Sequence, residues 1–212
     1  MSTITPTPPM GQPADPDWVP EPLGRLTLDQ YEAMVESGIL TARDRMMLIN
    51  GCLVEKMTHS PPHAIADELC GDALRPLLPA DWSLRTAKPI RMRRPAPERD
   101  SEPEPDRCIV RGTTRDYEDQ HPEPRDIALA VEVSKSSLAL DRKMAGIYGR
   151  AGIPIYWLID TVNRQVEVYS QPGPSGYGAM EVLAPGHVLT VILDGVEVGE
   201  IPVEDILPRK RP

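Results

Sequence analysis

Phenylalanine is absent from this 212-residue sequence, and aromatic residues of every kind make up only 4% of it. No apolar run approaches the roughly 18–20 residues a membrane span needs. The start, MSTITPTPPMGQPADPDW, lacks the basic and apolar regions of a secretory signal. These absences argue against a membrane anchor and against signal-directed secretion. Cysteine is also scarce: Cys52, Cys70 and Cys108 are an odd number, far apart, and none lies in a CxxC pair. A disulfide scaffold or zinc ribbon is therefore poorly supported, and a reducing cytoplasm fits best. There is no GxSxG, no Walker-type glycine loop and no GxGxxG after a strand, so serine-hydrolase, P-loop and dinucleotide chemistry have no motif to rest on.

What is present is proline, 25 residues of it, and a net charge of −9. The charge is localised. Residues 1–24 carry three acids and no base, and residues 96–126 carry ten acids against five arginines. The rest is nearly balanced, so the bulk acidity does not exclude a nucleic-acid partner. Residues 85–94 (RTAKPIRMRR) hold five bases and no acid, a local positive stripe. A solvated basic strand is the plain alternative.

With seven prolines and no apolar periodicity, residues 1–24 read as a disordered leader. A domain is expected over 25–208, followed by a basic tail, 209–212. Thr27-Leu-Asp-Gln30 has capping-box spacing ahead of a helix that runs to Gly38. Asn50-Gly51 sits between two apolar stretches and supplies the positive φ angles of a type I′ hairpin turn. A helix is expected over 62–78, weakened by Pro76, then strands at 82–85, 89–93 and 106–110. The near-continuous apolar stretch 127–133 suits a central strand covered on both faces. A helix over about 138–150, capped by Ser136 or Ser137, and strands at 155–160, 165–169 and in the last third complete an α/β protein with a mixed central sheet flanked by helices.

The informative residue is Glu132, a carboxylate inside IALAVEV, where an unpaired charge would cost several kcal/mol. Something on its face must compensate it, either an arginine such as Arg142 or a cation. Asp106 opens the short strand DRCIV, and two carboxylates at neighbouring strand ends could bind Mg²⁺. Otherwise Asp106 is the end of an acidic loop. Glu55, on the second hairpin strand, could add a third carboxylate or be a half-exposed strand residue. Lys143, on the helix after Glu132, could orient a water or stabilise a pentavalent phosphate, or simply be solvated. His59 and His63 have i, i+4 spacing, but Ser60-Pro61-Pro62 intervenes, so they do not share a helical face as a zinc pair would. His63, at a helix start, could touch a phosphate.

Together, EPEPD at 102–106, ALAVEVSKSSLALDRK at 128–143 and IYGRAGIPIYWLID at 147–160 resemble the large bacterial family of putative restriction endonucleases, a divergent branch of the PD-(D/E)XK nuclease superfamily. LTLDQYEAMVESGILTARDRM, the hairpin LINGCLVEKM and SPPH resemble its N-terminal half, so the likeness runs from about Leu26 to Pro208. The resemblance implies a restriction-endonuclease-like core and Mg²⁺-dependent phosphodiester hydrolysis, with Mn²⁺ as a substitute. It implies Pro105-Asp106 as the "PD" element, Glu132 as the central acid and the Val133 carbonyl as a further metal ligand. Ser134 stands where the strict spacing has lysine, and the branch's displaced lysine matches Lys143. Met47 stands where many relatives have an acid, leaving Glu55 as the helper. Residues 85–94, through Lys88, Arg91 and Arg93, would meet phosphates, which position a nucleic acid without reading its sequence. DNA is the expected partner, no membrane is, and a homodimer is left open. The competing hypothesis is a catalytically silent nucleic-acid- or protein-binding module of the same fold.

Overall fold

A computed structural model describes residues 24–94 and 98–209. The expected leader, apart from Gly24, and the last three residues of the basic tail lie outside the described residues. The first helix, α1 (Leu28–Glu36), starts as its sequence dictates. The Thr27 hydroxyl accepts from the Gln30 N–H at 3.2 Å, and the Gln30 side chain accepts from the Thr27 N–H at 2.9 Å. Strands β1 (Met46–Ile49) and β2 (Cys52–Glu55) form an antiparallel hairpin. Its turn residues Asn50 and Gly51 have φ of 49° and 73°, as a type I′ turn requires.

Helix α2 (Pro61–Leu74) begins one residue earlier than its apolar spacing predicts, because Pro61 at the first turn needs no hydrogen-bond partner for its nitrogen. It tightens into a 3-10 turn at Arg75–Leu77, where Pro76 cannot donate to an α-helical ladder. Six strands then form the central sheet in the order β3 (Trp82–Thr86), β4 (Arg107–Arg111), β5 (Ile127–Ser134), β6 (Ile155–Asp160), β7 (Gln165–Gly173) and β8 (Gly176–Leu183). Only β5 and β6 run parallel, joined by the crossover helix α3 (Leu138–Ala151). Every other neighbouring pair is antiparallel, so the sheet is mixed. The hairpin β9 (Val188–Leu193) and β10 (Val196–Pro202) pairs separately.

Two cores flank the sheet. Ala66, Cys70 and Leu74 of α2 pack with Leu189, Val191 and Ile201 of the last hairpin over one face, and Met144, Ala145 and Tyr148 of α3 pack with Ile90 and Met92 over the other. Strand β5 supplies residues to both, with Val131 and Val133 on the α2 side and Ala130 on the α3 side. This double coverage explains its unbroken apolar sequence. The segment 89–93 is not a strand, contrary to its alternating pattern. Pro89 lacks an N–H, and ladder pairing is confined to one bridge, Met92 to Ser101, while the Ile90 N–H donates to the Pro103 carbonyl at 3.0 Å and the Arg91 N–H to the Pro122 carbonyl at 2.9 Å. Strand β4 starts at Arg107, which leaves Asp106 just outside the ladder.

Candidate active site

Asp106 and Glu132 are brought together by register. Arg107 pairs with Val131 across the antiparallel β4–β5 ladder, so one step further Asp106 comes opposite Glu132. The Val133 N–H donates to Asp106 Oδ2 at 2.7 Å, clamping that carboxylate to the end of β5. The Tyr148 hydroxyl of α3 donates to Glu132 Oε1 at 2.9 Å. Arg142 does not compensate Glu132. It turns to Glu167 on β7, its Nε donating to the two carboxylate oxygens at 3.0 and 3.1 Å.

Both acids line a cleft of about 180 Å³ that also takes in Glu55, Val133 and His63. Asp141, near the start of α3, faces it too and accepts a hydrogen bond from Ser137 Oγ at 2.5 Å. Burial first, and neighbouring charge after it, bear on the protonation of Glu132 and Asp141. Burial, followed by the charges of Asp106 and Asp141, raises the Glu132 carboxyl well above the usual carboxylate range. Burial also raises Asp141, more than the Ser137 and Ser134 hydroxyls lower it. This donor set fits a divalent cation: neighbouring carboxylates, each with one oxygen committed to a protein hydrogen bond, in a pocket where burial penalises the charge of Glu132 and Asp141.

Two histidines that sequence spacing set aside join the same cleft. His63 Nε2 lies 3.2 Å from Asp106 Oδ2, and His59 Nε2 lies 3.8 Å from Asp106 Oδ1. Their rings stack with centroids 4.1 Å apart. The prolines between them do keep them off one helical face. They also start α2 at Pro61, which folds His59 back over the first helical turn, where His63 sits. The signal for this was the Ser-Pro-Pro helix start itself. Among the described residues, His59, His63 and Asp106 form a trio able to hold a metal ion, their ligand atoms all within 4.8 Å of one another. Burial disfavours the charged His63 ring, but the hydrogen bond and charge of Asp106, with Asp67 and Asp141, outweigh it and raise its pKa.

The expected cations are distributed differently. Lys143 is exposed on α3 and does not line the cleft; its neighbour Met144 does. Lys135 lines it instead, because β5 ends at Ser134 and strand alternation no longer governs the next residue. Lys56 also reaches the cleft but is paired with Glu104 at 2.6 Å. The positive stripe is largely neutralised by acids, two of them far away in sequence. Arg91 donates to Glu32 at 2.8 Å, Arg93 pairs with Asp29, and Arg94 with Glu98. Of the anticipated phosphate contacts, Arg91 and Arg93 are thus engaged by α1, Lys88 is exposed beside the cleft-lining Ala87, and His63 is on Asp106. Met47 lines the cleft where an acid was noted as missing.

A mixed sheet with an acid at the mouth of β4 and another inside β5 defines the class: a nuclease-like α/β protein. Residues 28–204 match the Uma2 family, described as "Putative restriction endonuclease", and the chain belongs to that family. Among solved structures, it resembles a putative nuclease belonging to DUF820 from Anabaena variabilis ATCC 29413. The TM-score is 0.61 at 16% identity, over 85% of this chain and 97% of that one. That likeness speaks for the fold. No curated protein matches the chain. Among the described residues, no helix is long and apolar enough to cross a membrane.

Proposed function

We propose that this protein is a divalent-metal-dependent endonuclease that hydrolyses phosphodiester bonds in DNA. The observation that carries the reading is the Asp106–Glu132 pair, adjacent in register and lining one cleft, with Glu132 disfavoured as an anion until a cation joins it. Asp106, Glu132 and the Val133 carbonyl would hold the ion, Mg²⁺ or Mn²⁺. Bound there, it would polarise a scissile phosphate and lower the pKa of a water. The chain's own contribution is orientation. The Val133 N–H fixes one Asp106 oxygen, the Tyr148 hydroxyl fixes one Glu132 oxygen, and Glu55 lies on the cleft wall as an accessory acid. Lys135, exposed on the cleft wall, is the cation suited to meeting phosphate charge there.

The test is nicking of supercoiled DNA by purified protein with Mg²⁺ or Mn²⁺, blocked by EDTA. Glu132→Gln should abolish cutting while leaving the metal-free fold intact, because the amide keeps the shape and removes a disfavoured charge. Equal rates for wild type and Glu132→Gln would sink the assignment. A second reading, a catalytically silent binding module, is favoured by one observation: α3 presents Met144, not Lys143, to the cleft. DNA binding with no cleavage under any metal would select it.

A further inference from the structure

We infer that His59 and His63 are direct metal ligands together with Asp106, so that the cleft selects a transition-metal ion such as Mn²⁺ or Co²⁺ over Mg²⁺. The inference rests on the reading of the cleft as a cation site and adds its ligand chemistry. Both imidazoles present Nε2 to the same carboxylate from one side, His63 toward Oδ2 and His59 toward Oδ1. A histidine whose task is to orient Asp106 would suffice alone, and the Val133 N–H already performs that task at 2.7 Å. The second ring is stacked on the first at 4.1 Å and contacts Asp106 only at 3.8 Å, too long for a hydrogen bond. Two stacked rings with their nitrogens converging on one carboxylate gain little as a hydrogen-bond network. As a ligand set they are coherent.

The chemistry of the donors then decides the metal. Mg²⁺ takes oxygen ligands and keeps its waters, whereas imidazole nitrogen suits the first-row transition ions, with affinity rising from Mn²⁺ towards Cu²⁺. Asp106 and Glu132 alone would suit Mg²⁺. Adding two imidazoles to Asp106 tilts the cleft away from it. His63 is held in the first turn of α2 with its side chain 12% exposed, while His59 is half exposed at the mouth, where an ion would enter.

The experiment uses full-length protein stripped with EDTA and titrated separately with Mn²⁺ and Mg²⁺ by calorimetry, with pulsed EPR on the Mn²⁺-loaded sample. Nitrogen modulation from coordinated imidazole is expected in the wild type, with Mn²⁺ bound more tightly than Mg²⁺. A His59→Asn/His63→Asn variant should lose the modulation and at least about ten-fold in Mn²⁺ affinity, the lower bound that losing even an outer partner sets. Its Mg²⁺ affinity should stay where it was. Mn²⁺ bound through oxygen alone, no tighter than Mg²⁺ and weakened by Glu132→Gln, would overturn the histidine assignment and leave the carboxylate site standing. Failure of wild-type protein to bind either ion would overturn both. The wild-type spectrum decides the question even if the double variant does not fold.

Discussion

Asp67→Ala should destabilise the protein more than any change of similar size on its surface. Asp67 lies one helical turn beyond His63 on α2 and receives Arg107, the residue after Asp106, through Nε–Oδ1 at 2.5 Å and Nη2–Oδ2 at 2.9 Å. The Arg107 side chain is 4% exposed, and its remaining contacts are Thr86 Oγ1 at 2.6 Å and the largely exposed Glu68 at 3.6 Å. Gly71, a turn further on, leaves room for the guanidinium, since a Cβ there would meet it at 2.8 Å. Burial keeps the Asp67 carboxyl above its usual range even beside Arg107, so desolvation here is expensive. Removing one partner of a buried pair costs about 3–5 kcal/mol, and Thr86 and Glu68 argue for the lower end. At roughly 2–4 °C per kcal/mol for a domain of this size, the melting temperature should fall by roughly 6–12 °C in differential scanning calorimetry. An Asp67→Leu/Arg107→Met double variant should regain most of that loss, because it leaves no uncompensated charge. A single variant melting within a degree or two of wild type, or a double no better than the single, would refute the reasoning.

Glu102 is buried beside Glu32 and Glu104, and its carboxyl is pushed up to about 7, by burial first and then by the Glu32 charge. Since its folded pKa is the raised one, its ionisation should remove roughly 2–3 kcal/mol of stability as pH climbs from about 4.5 to 7, and Glu102→Gln should flatten that slope in urea melts across this range. Gly149→Ala should cost about 1–3 kcal/mol, since its Cβ would meet the β8 backbone at Gly176 and Tyr177, both at 2.7 Å. Gly146→Ala, which meets only the Arg150 guanidinium at 3.2 Å, is the control and should melt close to wild type.

Local rules made most of the fold legible. Capping at Thr27, the Asn50-Gly51 turn and the apolar run of β5 each depend on residues within a few positions, and each element formed where its pattern lay. The segment 89–93 failed the same reading because its alternation records something else. Ile90 and Met92 point into the α3-side core, while Arg91 and Arg93 reach acids on α1. Alternation reports which side is buried, not whether a neighbouring strand exists to complete a ladder. The stripe's neutralisation was hidden for a related reason: Arg91 and Glu32 are 59 residues apart, and no local pattern pairs them. The acid pair was legible because a carboxylate inside an apolar strand demands an explanation wherever its partner lies.

The lysine is where sequence spacing and geometry part, and it supplies a decisive comparison. Counting along α3 makes Lys143 the candidate cation, yet the helical phase that buries Met144, Ala145 and Tyr148 against the sheet turns Lys143 outward. Lys135, just past the end of β5, lines the cleft with Glu132 and Asp141. Both lysines are exposed, so position decides between them: a cation that stabilises developing charge must be able to approach the phosphate, and Lys135 stands on the cleft wall whereas Lys143 does not. Lys143→Ala should therefore leave the cleavage rate within about two-fold of wild type, whereas Lys135→Ala should lower kcat by about ten-fold or more with metal affinity unchanged. Single-turnover cleavage of one labelled duplex, with metal binding measured in parallel, separates the two effects. The reverse order of loss would mean that α3 rotates or shifts when substrate binds, bringing Lys143 into the cleft.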